Sequence, residues 1–220
     1  MVTRNVCQLE TAPRVDEVEL TIVSDVPAFL EKLTGRLRTP AMIALFTGMR
    51  LGEILALRWD RVDLGRKPIA VREALEQTKA HGIRIKPPKS RAGRRDVTLP
   101  DVLVEALREH RRAQLELRIK LGIGKLPEEA PLFADIDGNL PSPGAYSSAW
   151  ADLATAIGMP RVTFHALRHT HASALIDAGV DIVTISRRLG HAKPDITLRV
   201  YAHLFQKDDG KAAAAINALF

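Results

Sequence analysis

The sequence predicts a mainly α-helical, α+β fold in which helices come first, a small antiparallel sheet of three strands follows, and further helices complete the domain. Apolar residues recur at helical spacing on both sides of residues 69–99. Within residues 69–99 the pattern changes to short β-type segments separated by turn residues. The 220-residue chain is 46% hydrophobic, which suits one large domain with a substantial core.

Helix-capping residues mark the first helices. Three helices are predicted near the start, over residues 26–34, 40–47 and 51–58. Asp25 is placed to cap the first helix, with Pro27 in its first turn. Gly48 is a typical residue to end the second helix. Arg50 therefore falls in or beside a sharp turn between two helices.

The three predicted strands are the segments PIAVREAL, GIRIKP and RRDVTLP. Pro100 and Asp101 then open a long helix that runs to about residue 121. Its apolar face is predicted from Leu103, Leu107, Leu115 and Leu117. Residues 122–145 are rich in Gly and Pro and are predicted as a loop. Later helices are predicted at 142–156, 163–178, 181–189, 194–203 and 209–219, and Thr163 is placed to cap the second of these.

The chain divides into three predicted parts: a linker or arm over residues 1–24, a domain over 25–205 and a tail helix over 206–220. The single cysteine, Cys7, excludes a disulfide framework and a cysteine-based metal site. The first residues lack the apolar core of a signal peptide, and no apolar run is long enough to span a membrane. These features favour a cytoplasmic protein.

Basic residues outnumber acidic ones, giving a formal net charge of +6 and a pI of about 9.7. Nucleic acid is the commonest anionic partner of such proteins. A local cluster, RIKPPKSRAGRR, holds six cations and no acidic residue: Arg84, Lys86, Lys89, Arg91, Arg94 and Arg95. The cluster is either a DNA-binding surface or a solvated hairpin edge that charges protect from pairing.

A candidate phosphate site begins with His165 and Arg168, three residues apart at the start of one predicted helix. Free N–H groups and the helix dipole favour an anion there. The alternative is an ordinary helix with a buried histidine and a surface arginine. Arg50 adds a second guanidinium that can grip phosphate oxygens. Glu53, one turn later, either orients Arg50 or forms a surface ion pair.

Zinc binding is a competing interpretation, because His165 and His169 stand four residues apart. The glutamate expected after the first histidine is absent, since Ala166 occupies that position. His171 lies two residues beyond His169 and is expected to point away. A pair of ligands is not a site, so no metal is predicted.

The candidate nucleophile is Tyr201, one of only two tyrosines in the chain. A phenol has a pKa of about 10 and needs help to attack at neutral pH. His191, ten residues earlier, or the arginines can supply that help. Lys89, in the turn PPKSRAG, is the candidate acid for a leaving oxygen. Alternatively, Tyr201 is a structural tyrosine and Lys89 is one of six interchangeable cations of the basic cluster.

With these residues the chain resembles the tyrosine recombinases, the phage integrase family. The matching motifs are TGMRLGEI around Arg50, PKS at Lys89, HALRHT at His165 and Arg168, LGH at His191 and VYAH at Tyr201. The resemblance implies the family's catalytic fold and its DNA recombination and integration activity. It also implies a homotetramer on double-stranded DNA and a Holliday junction intermediate, as in phage and other mobile elements.

The resemblance implies a role for each residue. Tyr201 would attack the scissile phosphate and form a 3′-phosphotyrosine, releasing a 5′-hydroxyl. Arg50, Arg168 and His191 would stabilise the transition state. His165 would assist proton transfer, and Lys89 would protonate the leaving oxygen. No metal, ATP or other cofactor is implied.

The amino end departs from the family pattern, because family members usually carry a core-DNA-binding domain before the catalytic one. Only residues 1–24 precede the first predicted helix. We therefore expect a catalytic domain, either cut from a longer protein or a small natural variant, with weak and salt-dependent DNA binding. The tail, with Ile216, Leu219 and Phe220, is expected to dock on a neighbouring subunit or on its own domain.

Two other functions stay open at this point. The same chemistry serves a type IB topoisomerase-like enzyme that nicks and reseals DNA. A non-catalytic DNA-binding protein with the same fold is the third possibility, and it would tolerate Tyr201→Phe.

Overall fold

The computed structural model describes residues 20–88, 90–205 and 209–219. The predicted arm up to residue 19, the candidate acid Lys89 and the terminal Phe220 lie outside the described residues. The helices are α1 Val26–Lys32, α2 Arg38–Thr47, α3 Leu51–Leu55, α4 Asp101–Lys120, α5 Pro143–Ala156, α6 Phe164–Asp177, α7 Ile182–Leu189, α8 Pro194–Tyr201 and α9 Asp209–Asn217. The strands are β1 Pro68–Val71, β2 Ala74–Thr78, β3 Gly82–Lys86 and β4 Arg95–Thr98. The mainly α, α+β fold class is confirmed.

The helix boundaries follow the predicted capping residues. The Asp25 side chain accepts a hydrogen bond from the Ala28 N–H at the start of α1. Thr163 caps α6 in the same way, through the Ala166 N–H. Gly48 ends α2 in the left-handed conformation, at φ 67°. The predicted positions of α1, α2 and α6 are therefore confirmed to within a few residues.

The predicted three-stranded sheet is wrong in strand number, because the structure has four strands in two separate antiparallel pairs. One pair is β1 with β4, and the other is the hairpin of β2 with β3. The first predicted strand breaks at Arg72 and Glu73, between the two pairs. At the break, the Arg72 guanidinium binds the Arg95 carbonyl and the Asp96 carboxylate of β4.

Most of the apolar side chains form one core between α2, α3, β1, β4, α5 and the start of α4 and α6. Trp150 of α5 packs against Phe164, with ring centroids 4.6 Å apart, and donates a hydrogen bond to the Val162 carbonyl. A smaller second cluster lies where α6, α7 and α8 meet: Ala172, Ile176, Ile185, Leu189 and Tyr201. The first half of α6 contributes side chains to the larger core and its second half to the smaller cluster, so packing fixes the helix along most of its length.

The long helix α4 is apolar on one face only in its first half. Leu103 and Leu107 are fully buried, whereas Leu115 and Leu117 are exposed, so the predicted continuous apolar face is wrong in the second half. The first turns of the helix pack on α2. Among the described helices, none combines the length and the apolar content that crossing a bilayer would need.

Replacing Gly48 with alanine is expected to destabilise the fold strongly. The left-handed φ costs a non-glycine residue about 1–2 kcal/mol. The new Cβ would also lie 2.7 Å from both His171 Cδ2 and Leu189 Cδ2, and such overpacking costs about 1–3 kcal/mol more. The free energy of unfolding, measured by urea denaturation, should therefore fall by about 2–5 kcal/mol.

Gly35→Ala is the matched control, because Gly35 has a similar φ of 64° and no atom within 4 Å of the added Cβ. Only the conformational cost applies there, so the loss should be about 1–2 kcal/mol. Equal losses for Gly35→Ala and Gly48→Ala would contradict the close packing around Gly48.

Candidate active site

Arg168 is the most deeply buried cation of the candidate site, with 2% of its surface exposed. Its Nη1 donates to the Gly48 carbonyl, and its Nη2 donates to the Leu189 carbonyl at 2.8 Å. The guanidinium thus joins α6 to the turn after α2 and to the end of α7. His165 is instead exposed, so the alternative of a buried histidine with a surface arginine is wrong.

His191 lies against Arg168 just after the left-handed Gly190. The His191 Nε2 is 2.9 Å from Arg168 Nη2, and its Nδ1 is 2.8 Å from Thr197 Oγ1. A guanidinium can only donate, so Nε2 accepts and Nδ1 carries the hydrogen and donates to Thr197. Burial, followed by the charges of Arg168 and Arg50, lowers the His191 pKa to about 4. The ring is therefore neutral at pH 7, with one tautomer fixed.

Arg50 stands at the N-terminus of α3 and is held by Glu53. The Glu53 carboxylate accepts hydrogen bonds from the Arg50 backbone N–H at 3.0 Å and from Arg50 Nη1 at 3.1 Å. Glu53 is 4% exposed, so the interpretation of a surface ion pair is wrong. The Arg50 side chain keeps 45% exposure and can meet a ligand.

Arg95 differs from the other cations of the basic cluster because it is buried. On β4, side chains alternate between core and solvent, and Arg95 is on the core side. Its Nη1 and Nη2 both donate to Glu53, at 3.2 and 2.9 Å, and its Nε donates to the Arg188 carbonyl. The expectation that Arg95 contacts DNA is therefore corrected to a contact with Glu53.

Two opposing effects act on Glu53. Burial works to raise its pKa, but the hydrogen bonds and charge of Arg95, with those of Arg50, outweigh it and lower the pKa below 4.5. Glu53 is therefore ionised at neutral pH between two guanidinium groups. One carboxylate facing Arg50 and Arg95, with Arg168 nearby, leaves the site net positive.

Arg50, His165 and Arg168 line one open pocket of about 390 Å³. Its apolar wall is formed by aromatic and aliphatic side chains of α5, of the start of α6 and of the segment between them, including Trp150 and Val162. A second pocket of about 430 Å³ lies on the other side of Arg50, beside the residues that flank Lys89. The arrangement offers two guanidinium groups and an imidazole to an anion that enters from solvent.

Tyr201 is buried in the smaller core cluster and is not among the residues that line this pocket. Its hydroxyl lies 2.7 Å from His169 Nδ1. Burial raises the Tyr201 pKa to about 12, although the charge of Arg168 acts in the opposite direction. The structure brings Arg168 and His191 into contact. The Tyr201 hydroxyl contacts His169, the residue that follows Arg168 on α6.

His169 is the residue of the site that the sequence analysis missed, because it was weighed only as a metal ligand. Its ring meets the His165 ring edge-on, with centroids 4.5 Å apart. Its position four residues after His165 was the available signal, since this spacing puts both on one helix face. His171 points away as expected, and its Nδ1 binds the Leu45 carbonyl. Among the described residues, no three potential metal ligands form a cluster.

The other cations of the basic cluster lie on or near the β2–β3 hairpin. Arg84 and Lys86 both bind Glu76, which stands on the neighbouring strand. Arg91 and Arg94 are exposed, and within the described part of the chain neither has an acidic partner within ion-pair distance. Arg91 and Arg94 are thus the cluster's unpaired described cations.

Comparison with known proteins adds independent findings. A family model described as the phage integrase family matches residues 17–208. A tyrosine recombinase XerC-like protein from Caldanaerobacter subterraneus subsp. tengcongensis is 30% identical over 93% of this chain. This chain covers 55% of that relative, so it spans about half of its length.

Two solved structures share the fold. The Tn1549 transposon integrase in complex with transposon right end DNA has a TM-score of 0.71 at 22% identity, covering 99% of this chain and 70% of that chain. The catalytic domain of bacteriophage HP1 integrase has a TM-score of 0.53 at 21% identity, covering 89% of this chain and 95% of that chain. The predicted recombinase catalytic fold is confirmed by these similarities.

Glu53→Gln is expected to reduce the free energy of unfolding at pH 7 by about 3 kcal/mol, because removing one partner of a buried ion pair leaves Arg95 uncompensated. Glu76→Gln is the control, since Glu76 bridges Arg84 and Lys86 at the solvent-facing hairpin, and its loss should be much smaller. Urea denaturation measures both values, and equal losses would contradict the importance of the Glu53–Arg95 pair.

The same pair predicts a pH dependence of stability. The folded-state pKa of Glu53 is lowered below 4.5, so its stabilisation is complete above that pH and is lost as the pH falls through the folded-state value. Glu53→Gln should remove this contribution, and its unfolding free energy should fall less steeply than that of the wild type below pH 4.5. Parallel curves for the two proteins in this range would contradict the prediction.

Proposed function

This chain belongs to the phage integrase family, and we propose that it carries the catalytic domain of a site-specific DNA recombinase that works through a 3′-phosphotyrosine intermediate. One observation supports the proposal most directly: Arg50 and Arg168 approach one open pocket together with His165, while a neutral His191 lies on Arg168. Guanidinium groups match the non-bridging oxygens of a phosphodiester.

In the proposed reaction, the Tyr201 oxygen forms a bond to phosphorus and loses its proton while the bond from phosphorus to the 5′ oxygen breaks. Lys89 is proposed to give a proton to that leaving oxygen. Arg50, Arg168 and His191 are proposed to stabilise the charge that develops on the phosphoryl oxygens. His165 is proposed to assist proton transfer by accepting the proton that the Tyr201 hydroxyl loses. The ester conserves the bond energy, so religation runs the same steps in reverse.

The nucleophile has to approach the pocket for this reaction. Attack needs the reacting atoms about 3–3.5 Å apart. Because the Tyr201 ring is buried and its hydroxyl is bound to His169, we propose that the segment carrying Tyr201 shifts towards the pocket when DNA binds. At the end of this shift, the Tyr201 hydroxyl reaches a phosphate that Arg50 and Arg168 already bind.

Glu53 is proposed to position Arg50. The carboxylate binds Arg50 through both its backbone and its side chain, and Arg95 holds the carboxylate from the other side. This arrangement restrains the Arg50 side chain, so less conformational entropy is lost when it grips a phosphate. Arg95 acts through Glu53 in this proposal, without touching DNA.

The proposed partner is double-stranded DNA, and the proposed assembly on it is a homotetramer that passes through a Holliday junction. Residues 25–205 are proposed as the catalytic domain and 206–220 as a tail that docks on a neighbouring subunit. In support, Ile216 and Leu219 of the tail are exposed in the single chain, so they are available to another copy. We propose a cytoplasmic location, because the proposed reaction acts on bacterial or phage DNA.

Tyr201→Phe is expected to abolish covalent attachment to DNA, because phenylalanine lacks the attacking oxygen. The assay uses end-labelled duplexes, randomised over the central region and nicked near its middle, so that cleavage releases a short strand and traps the adduct. Labelled protein is then detected after denaturation in SDS. Tyr146→Phe is the matched control, because Tyr146 is the only other tyrosine of the sequence. It lies on α5, and its ring contacts the Arg36 guanidinium.

Attachment by Tyr201→Phe equal to that of the wild type would overturn the proposed nucleophile, and no attachment by the wild type on any duplex would favour a non-catalytic DNA-binding protein. A supercoiled plasmid distinguishes the remaining alternative. Joining of strands from two duplexes supports recombination, whereas relaxation without strand transfer supports a topoisomerase-like enzyme.

DNA binding by this chain is expected to depend strongly on salt, because contacts between cations and phosphates dominate it. Arg94→Ala should reduce the slope of log affinity against log salt concentration by about 1. Arg84→Ala should reduce it less, because Arg84 is already paired with Glu76. Fluorescence anisotropy with a labelled duplex measures both slopes, and tight binding that is insensitive to salt would contradict this expectation.

A further inference from the structure

The contact between His169 and Tyr201 has no role in the chemistry proposed above. We propose that His169 is a positioning residue for Tyr201: its Nδ1 accepts the hydrogen bond of the phenol and holds the hydroxyl beside the phosphate pocket. The two atoms lie 2.7 Å apart, and the rings meet edge-on with centroids 5.6 Å apart. The inference rests on the proposed function, in which Tyr201 is the nucleophile.

The position of His169 on α6 determines where it holds the hydroxyl. His165 lines the pocket one turn earlier on the same face, and a helical turn advances about 5.4 Å. Arg168, the preceding residue, anchors this stretch of α6 to two carbonyls. His169 therefore holds the nucleophile about one helical turn along α6 from a residue that lines the pocket.

The protonation states set the direction of the hydrogen bond. Burial, followed by electrostatic interactions with His165 and Arg168, lowers the His169 pKa to about 4, whereas burial raises the Tyr201 pKa to about 12. At neutral pH the imidazole is therefore neutral and the phenol keeps its proton. The phenol donates to Nδ1, and the imidazole hydrogen is on Nε2. His169 thus orients the hydroxyl and does not ionise it in the free protein.

A residue that orients the nucleophile affects the rate of cleavage more than the affinity for DNA. Misplacement of a reacting group by about 1 Å can reduce a rate by about 100-fold. The Tyr201 ring is also held by the apolar side chains of the smaller core cluster, including Leu189 and Ile185. These contacts fix the ring but not the direction of its O–H bond, which only a polar partner can fix.

The test compares His169→Leu with His169→Asn on the nicked duplexes. Leucine removes the acceptor, so adduct formation should slow by about 100-fold while the Kd for DNA stays unchanged. Asparagine can place its carbonyl oxygen where Nδ1 lies, so it should restore most of the wild-type rate. His203→Leu and His203→Asn are the matched controls, because His203 is exposed in the turn after Tyr201 and should leave the rate unchanged.

Wild-type speed in His169→Leu, or faster adduct formation, would overturn the proposal. An asparagine variant as slow as the leucine variant, with both folded by circular dichroism, would also overturn it. A parallel loss of DNA affinity in both variants would assign His169 a structural role instead.

A spectroscopic measurement separates this proposal from the proposed function. In ¹⁵N-histidine NMR of the free protein, Tyr201→Phe should shift the His169 Nδ1 resonance, which His169→Asn assigns by its disappearance. Tyr146→Phe should leave that resonance in place. If the wild type forms no adduct, the proposed function fails while this spectrum still decides the contact. An unchanged resonance in Tyr201→Phe would overturn the inference itself.

Discussion

The candidate site depends on the burial of Arg168. A guanidinium is costly to bury unless partners satisfy it, and Arg168 has the Gly48 carbonyl, the Leu189 carbonyl and His191 Nε2. These partners belong to two separate parts of the chain, the turn after α2 and the end of α7, so one side chain of α6 aligns both. Burial, followed by repulsion from Arg50, lowers the Arg168 pKa to about 9, and the group still carries its charge at neutral pH. Three of its five N–H donors are used by these partners, which leaves two for a ligand.

The site keeps a net positive charge, and a single carboxylate holds its neighbouring cations in place. Glu53 offsets the repulsion between Arg50 and Arg95, and without it Arg95 would be an unpaired buried charge. One carboxylate does not neutralise two arginines with Arg168 nearby. The remaining positive charge faces a pocket whose other wall is apolar, and low polarity strengthens attraction to an anion. The same charges therefore stabilise the fold and favour a phosphate.

Local patterns in the sequence predicted the features that depend on local interactions, such as the ends of helices. Asp25, Gly48 and Thr163 fix helix ends through neighbouring atoms, and the structure has those ends. Contacts between distant segments were beyond such patterns. Arg95 could not be separated from the exposed cations beside it, because its burial depends on Glu53, 42 residues away. The pairing of Tyr201 with His169 likewise depends on how α8 packs on α6.

The protonation of three histidines is expected to differ between the free protein and the DNA-bound state that we propose. Partial burial, followed by nearby positive charges, lowers the pKa of His165, His169 and His191 below 6.5, so all three rings are neutral in the free protein at pH 7. A phosphodiester entering the pocket would bring a negative charge beside them, and an opposite charge favours the protonated form of an imidazole. Proton affinity would thus rise when substrate arrives, which is when a proton must leave Tyr201. Burial and the arginines lower these pKa values before DNA binds, and the phosphate opposes the effect of the arginines afterwards. In the proposed reaction, substrate binding itself therefore prepares the site for proton transfer.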